Sequence, residues 1–375
     1  MPECKLLKNH MCITVSGNWR PCCRFDESIL PWKDKFFVTK TSFEDYRASD
    51  FYQGIIKEQA TGWHKGCEKC RRSEETGNRS MRKVFDDLVS GEGTDVEFIE
   101  ISLSRECNLA CRMCGPYASS TWQKIVKENE NDIVDFFKPQ LEQTIIEVEK
   151  LFQGLDLSKV NRIKLLGGEP FITPQTSDFF EYLANNNLLD KIDFMTNTNV
   201  TFFPKKIIKY LSKLKRANIS LSIDGFGSNN DYVRHKSSWP VVVDVVKKWQ
   251  DFAEQHKGKI NLSTSTCVNA YNVHQIDEIV NWTTEHNIKE NFMNVIHSPK
   301  QLCLEALPPA YVDEVMKKLQ GNNSVKGVVN YLETMQHNPE LLNTLVKYTQ
   351  LMDRITGLNL KDYNPSLAKH LNGEQ

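Results

Sequence analysis

The sequence has almost no net charge, no long apolar run, no internal repeat and no low-complexity tract. Lys and Arg number 47 against 48 Asp and Glu in 375 residues, a formal net charge of −1. No bulk field is therefore available to hold nucleic acid or an anionic membrane, and any nucleic-acid contact would have to come from a local patch. The first thirty residues contain no uninterrupted apolar stretch, and no other segment approaches the length that spans a bilayer. A cytoplasmic chain with no membrane partner is the expectation. With 40% hydrophobic and 10% aromatic residues the chain can bury a substantial core, as two domains or as one large domain with an appendage.

What the chain does have is cysteine. Eleven occur, and nine of them fall in the first third: Cys4, Cys12, Cys22, Cys23, Cys67, Cys70, Cys107, Cys111 and Cys114, followed later by Cys267 and Cys303. In a reducing compartment this favours metal binding or catalysis over a disulfide framework.

From about residue 94, short β-branched runs alternate with helix-like stretches. Strands are expected at 96–103, 163–166, 191–195, 219–223, 260–268 and 291–296, with helical patterns at 119–128, 141–152, 175–183, 204–214, 241–255 and 273–286. Such alternation predicts an α/β fold with a parallel sheet, satisfied by an open or closed β/α barrel with functional groups at the strand C-termini. Residues 1–93 have few periodic runs and many Cys, Trp, Gly and charged residues, so they read as a small cysteine-rich module that a metal would staple. Residues 299–375 read as a helical C-terminal extension, with helix starts at Pro308-Pro309 and Asn338-Pro339-Glu340.

The first expected strand is followed by Cys107, Cys111 and Cys114 in a C-x3-C-x2-C spacing. Three thiolates suit a cubane iron-sulfur cluster with one iron left open, and the alternative is a zinc site completed by a distant residue. The N-terminal module holds Cys12 and Cys22-Cys23, then Cys67 and Cys70 as C-x2-C; two distant pairs can bring four thiolates to one metal centre, with a zinc knuckle as the alternative.

The triplet resembles the signature of the radical S-adenosylmethionine (SAM) enzymes, with Met113 at a position that is usually aromatic. The resemblance runs from about residue 96 to 298. It implies a partial (β/α)6 TIM-like barrel spanning 94–298, and a [4Fe-4S] cluster on Cys107, Cys111 and Cys114. Gly167-Gly168-Glu169-Pro170 resembles the family's GGEP motif, which holds the methionyl amino group; glycines allow close backbone approach, and a carboxylate accepts from an ammonium. Asn197 lies in a segment resembling T-N-G/T. Ser222 and Asp224 resemble the S-x-D-G stretch that meets the cofactor's ribose and carboxylate, and Arg234 matches an arginine used against the methionyl carboxylate. The family's fifth-strand glycine motif is absent. His297 is a candidate for adenine contact or polar rim.

The second cysteine set resembles the auxiliary-cluster region called SPASM or its shorter form, twitch, here placed before the barrel. That implies a second [4Fe-4S] cluster on Cys12, Cys22, Cys67 and Cys70, with Cys23 or Cys4 as substitutes for Cys12. The basic run between Lys69 and Lys83 reads as a solvated helix face. Cys267 reads as a buried small hydrophobe or, alternatively, a catalytic hydrogen-atom donor.

The resemblance implies an iron-sulfur oxidoreductase or modifying enzyme that cleaves SAM reductively to a 5′-deoxyadenosyl radical and removes a substrate hydrogen. It would draw electrons from a flavodoxin or ferredoxin. Oxidation or cross-linking of a peptide or protein is the first expectation for its substrate, although no winged-helix peptide-recognition domain is evident. A sugar, nucleotide or other small molecule is the alternative, and a non-catalytic zinc-stabilised binding module is the alternative of a different class.

Overall fold

The computed structural model describes residues 4–31, 36–75, 77, 79–137, 146–288 and 290–373. Among the described residues ten strands form: β1 (His10–Ile13), β2 (Trp19–Arg20), β3 (Phe98–Ser102), β4 (Ala110–Cys111), β5 (Arg162–Leu166), β6 (Asp193–Thr198), β7 (Arg216–Ser222), β8 (Arg234–His235), β9 (Ile260–Val268) and β10 (Glu290–Val295). The six strands expected from residue 94 onward are β3, β5, β6, β7, β9 and β10. The chain divides into two compact units, Met1–Arg105 with Glu142–Thr196 and Pro204–Asn218, and Glu106–Leu141 with Asn197–Phe203 and Ile219–Gln375.

In the first unit the strand order is β6-β5-β3-β1-β2, parallel except for the antiparallel β1–β2 pair. Period-2 alternation gives this sheet two chemically different faces. Ile99, Ile101, Ile163, Leu165 and Phe194 are fully buried on one face, where the Phe180 ring of helix α1 (Pro174–Asn185) lies 5.2 Å from that of Phe194. On β5 the intervening Arg162, Lys164 and Leu166 are half-buried, whereas on β3 the intervening Phe98, Glu100 and Ser102 are buried. Asp193 at the start of β6 gathers Arg162, Lys215 and Arg216 at 3.8, 3.6 and 3.2 Å.

The N-terminal segment does not stand apart as a module of its own. β1 pairs in parallel with β3, His10 opposite Phe98 and Ile13 opposite Ile101, so the segment is built into the sheet. All four residues of β1 are buried, so no apolar–polar alternation marks the strand in the sequence. Tyr52 anchors the segment further by donating to the Leu7 carbonyl at 3.0 Å.

In the second unit the order is β10-β9-β7, with β9 and β10 parallel and in register from Ser263–Glu290 to Val268–Val295. A separate two-stranded antiparallel ribbon pairs β4 with β8. Helices α2 (Ser120–Glu128), α3 (Trp239–Gln255) and α4 (Ile276–Glu285) follow the expected pattern. The tail is helical as expected, with α5 (Pro309–Leu319), α6 (Lys326–Thr334), α7 (Pro339–Thr356) and α8 (Pro365–Leu371). Its Leu345, Tyr348 and Met352 share one apolar cluster with Trp122, Tyr232 and Tyr271.

Two expected helices are shorter than the pattern suggests. In 204–214 only Ile208–Leu211 is α-helical. In 141–152 the helix runs from Val148 to Phe152, and residues 141–145 lie outside the described residues.

Helix α7 opens with Asn338, whose side chain accepts from the N–H groups of Glu340 and Leu341 at 3.0 and 3.2 Å, and with Pro339 at a position that needs no donor. Asn338→Ala is expected to cost about 1 kcal/mol, read as a lowered urea midpoint at unchanged slope.

Candidate active site

The three-cysteine loop of the second unit is held by main-chain hydrogen bonds to the start of α2. The Cys107 N–H donates to Ser120 Oγ at 3.1 Å, while Thr121 and Ser119 donate to the carbonyls of Cys107 and Leu109 at 2.7 and 2.6 Å. Trp122, fully buried, donates its indole N–H to the Cys111 carbonyl at 2.9 Å. Helix α2 thus satisfies backbone groups at Cys107, Leu109 and Cys111 of the loop. Burial pushes the Cys111 thiol well up, and Arg234 works against that shift. Cys114 is raised to about 11, again chiefly by burial. Met113 lies partly buried against the unit's apolar cluster.

Arg234 is set by the β4–β8 ribbon directly opposite Cys111. Its guanidinium is buried and pairs with Asp224, whose other oxygen accepts from the Cys267 N–H at 2.7 Å. The structure therefore joins three of the expected site residues, Asp224, Arg234 and Cys267, in one chain of hydrogen bonds. Arg234 Nε remains buried without a protein partner. Burial and the Asp224 charge raise the Cys267 thiol to about 12. Gly225 is required where it stands, because a Cβ there would lie 2.5 Å from the Asn230 nitrogen. Ser222 and Asn197 are half-buried at the ends of β7 and β6. Asn199 donates to Asn108 at 2.8 Å and lies 3.8 Å from Cys107 Sγ.

In the first unit, Gly168 donates to the Ser104 carbonyl at 2.9 Å. Gly167 has φ +150°, and a Cβ there would meet the same oxygen at 2.5 Å, so the loop tolerates no side chain. Glu169 is 1% exposed and accepts from the Phe171 N–H at 3.3 Å, and Pro170 is buried beside it.

The N-terminal thiols also gather, with Cys4, the named substitute, in the place of Cys12. Cys4, Cys22, Cys67 and Cys70 line one open pocket together with Trp63 and Arg82. Cys67 comes from a 3-10 turn (Lys65–Cys67) and Cys70 from the helix that continues it (Glu68–Glu75). Burial raises Cys4 to about 12, and Cys67 and Cys70 repel its charge, while the N–H groups of Leu6 and Leu7 favour it. Cys67 is raised to about 11 and accepts from Gln59 at 2.8 Å. Cys12 is the correction: it sits inside β1, 3% exposed, opposite Glu100 and Arg20, and does not line the cavity. Among the described residues no three or more His, Cys, Asp or Glu side chains converge on a single-ion position; the four thiols ring the cavity instead.

The basic run is largely neutralised. Arg71 and Arg72 meet Glu68 at 2.7 and 2.8 Å, and Arg82 meets Glu74 at 2.6 Å. His297 lies beside the Tyr331 ring, at 6.0 Å between centroids.

Sequence reading missed the residue that locks the cysteine loop to the tail. Arg112 is fully buried, with its guanidinium 3.8 Å from the Tyr232 ring centre. It donates to the Tyr232 carbonyl at 2.9 Å and to Asp353 of α7 at 2.8 Å, while Tyr348 donates to the Arg112 carbonyl at 2.7 Å. The α7 partners lie more than 230 positions away, and the only local signal is a charged residue inside a cysteine motif.

Residues 101–283 match the Radical SAM superfamily. The chain is similar to GTP 3',8-cyclase of Sulfurovum sp. (strain NBC37-1), 26% identical over 239 residues, 62% of this chain and 64% of that one. It is also similar to GTP 3',8-cyclase of Peptoclostridium acidaminophilum, 24% identical over 64% of this chain and 68% of the other. The chain thus spans just under two thirds of the first of these relatives. The solved structure of hexahistidine-tagged anSMEcpe with bound AdoMet is similar at a TM-score of 0.40 and 15% identity, over 65% of this chain and 61% of that one. Among the described residues no helix is long and apolar enough to cross a membrane.

Removing the partner of a buried cation leaves its charge uncompensated. Asp353→Ala is expected to lower stability by about 3 kcal/mol in anaerobic denaturant titration, with Asp353→Asn intermediate because it keeps a hydrogen-bond acceptor.

Proposed function

We propose that this chain, whose residues 101–283 are a radical SAM domain, is an enzyme with two [4Fe-4S] clusters that acts on a small molecule, of the nucleotide class that the relatives' name carries. The observation that carries the reading is the pair of thiol sets, one of three and one of four, each with its own backbone and burial. Cys107, Cys111 and Cys114 would hold the SAM-binding cluster, and Cys4, Cys22, Cys67 and Cys70 the auxiliary one. A donor set of sulfur alone fits iron-sulfur chemistry, as do backbone N–H groups directed at Cys4. When bound, the cluster and SAM supply one-electron chemistry able to break an unactivated C–H bond.

The chain's own residues bind and orient. Arg234 Nε is a buried donor with no protein partner, a fit for the methionyl carboxylate, and Asp224 fixes the plane of that guanidinium. The Glu169 carboxylate is an acceptor for the methionyl ammonium, while Gly167 and Gly168 let the backbone come close to a ligand. Cys267 stays protonated at neutral pH and so keeps the hydrogen that a donor must have.

The small-molecule reading is preferred to a peptide because the sequence relatives bear the name of a nucleotide cyclase. That name also favours a redox-neutral rearrangement over a net oxidation. A cytoplasmic location and a flavodoxin or ferredoxin as electron donor belong to the same proposal.

Anaerobic reconstitution is expected to give about eight irons with matching sulfide per chain, and 5′-deoxyadenosine from SAM on reduction. Tightly bound zinc without iron would overturn the reading. Cys107→Ala should abolish that product. Cys4→Ala should lose about four irons while Cys12→Ala keeps them; the reverse result would restore Cys12 as a ligand.

A further inference from the structure

One face of the first unit's sheet carries a row of charged and sulfur-bearing side chains, buried at Cys12 and Glu100 and half-buried at Lys164 and Met195. Strand register sets Cys12, Glu100, Lys164 and Met195 side by side across β1, β3, β5 and β6. The row lies on the face opposite Ile99, Ile101, Ile163 and Leu165. Glu100 is 4% exposed, and its Oε2 has no hydrogen-bond partner. The ammonium of Lys164 lies 3.8 Å from that oxygen, too far for a hydrogen bond, and the Lys164 side chain is 29% exposed.

A buried acceptor without a donor is costly, so its presence beside a reachable ammonium marks acceptor capacity held for a ligand. A carboxylate next to an ammonium offers an acceptor and then a donor at a spacing of one hydrogen bond. Its complement is an edge with N–H donors beside a carbonyl. Guanine has that edge, whereas adenine presents no carbonyl there.

A phosphate chain is the wrong occupant. Glu100 would repel it, and the neighbouring cations Arg162, Lys215 and Arg216 are already committed to Asp193.

Resting on the small-molecule reading above, we infer that Glu100 and Lys164 form a specificity pair that reads a guanine-type cyclic-amide edge of the substrate rather than its phosphates. The Glu100 carboxylate accepts the N–H donors and the Lys164 ammonium donates to the carbonyl. The Cys23 thiol lies close enough to the pair to feel the charges of both Glu100 and Lys164.

Calorimetric titration of the reconstituted full-length protein with guanosine, adenosine and GTP tests this. Guanosine is expected to bind at least ten-fold more tightly than adenosine, and GTP within a few-fold of guanosine. Glu100→Gln should weaken guanosine binding about ten-fold or more, since a charged hydrogen bond is lost. Lys164→Met should weaken guanosine and leave adenosine unchanged, which keeps the test available if the first variant misfolds. Equal affinity for adenosine, a GTP affinity a hundred-fold above guanosine, or guanosine binding indifferent to both substitutions would overturn the inference. Absence of nucleoside binding in a protein that still forms 5′-deoxyadenosine would overturn it too, while leaving the radical SAM reading intact.

Discussion

A guanidinium sealed from water is tolerated only with close partners, and the second unit is organised around supplying them to Arg112, whose Nε and Nη2 are hydrogen-bonded while Nη1 rests on no hydrogen-bond acceptor. Arg112 sits between Cys111 and Cys114, so its position is the position of the thiol loop. Its partners are the Tyr232 carbonyl and ring and the Asp353 carboxylate, with Tyr348 bound to its own carbonyl. The same Asp353 accepts from the Tyr232 hydroxyl at 2.9 Å and from the Leu360 N–H at 2.7 Å. One carboxylate on α7 thus joins the cysteine loop, the segment before β8 and the chain beyond the helix. The tail, which carries no chemical motif of its own, acts as the clamp that fixes where three thiols stand.

The parts of this arrangement that were legible in the sequence are those governed by local rules. β9 was readable residue for residue because Ile260, Thr264, Thr266 and Val268 place β-branched residues at even spacing along it, and α7 began where Asn338-Pro339 said it would. Gly167 was readable as a demand for close backbone approach. The parts that were not legible depend on distant pairing. β1 is four buried residues with no alternation, and only its register with β3 shows it to be a strand. That strand decides the fate of Cys12, which is carried into the sheet, while Cys4, just before the first turn, is left free to face Cys67 and Cys70. Spacing alone could not separate the two, as both precede the Cys22-Cys23 pair. Arg112 and Asp353 are paired across 241 residues, and the charged residue inside the cysteine motif does not point to its distant partner.

The adjacent residues Cys22 and Cys23 illustrate how closely two roles are packed. Cys22 faces the cavity with Cys4, Cys67 and Cys70, whereas Cys23 lies among Glu100, Lys164 and Arg20. The two lie at a turn, closed by the Phe25 N–H donating to the Cys22 carbonyl at 3.2 Å. The vicinal pair serves as a thin wall, with sulfur chemistry on one side and polar recognition on the other.

Strand β1 also protects. It occupies the hydrogen-bonding flank of β3, and β2 with its short antiparallel turn covers β1 in its place. A shortened form starting near residue 94 would keep every barrel motif and still present β3 as a bare edge, with Ile99 and Ile101 beside unpaired amides. Exposed apolar edges of that kind recruit other chains into sheet. The N-terminal segment is thus a guard against self-association as well as a carrier of thiols, and solubility, more than catalysis, would be the first property lost without it.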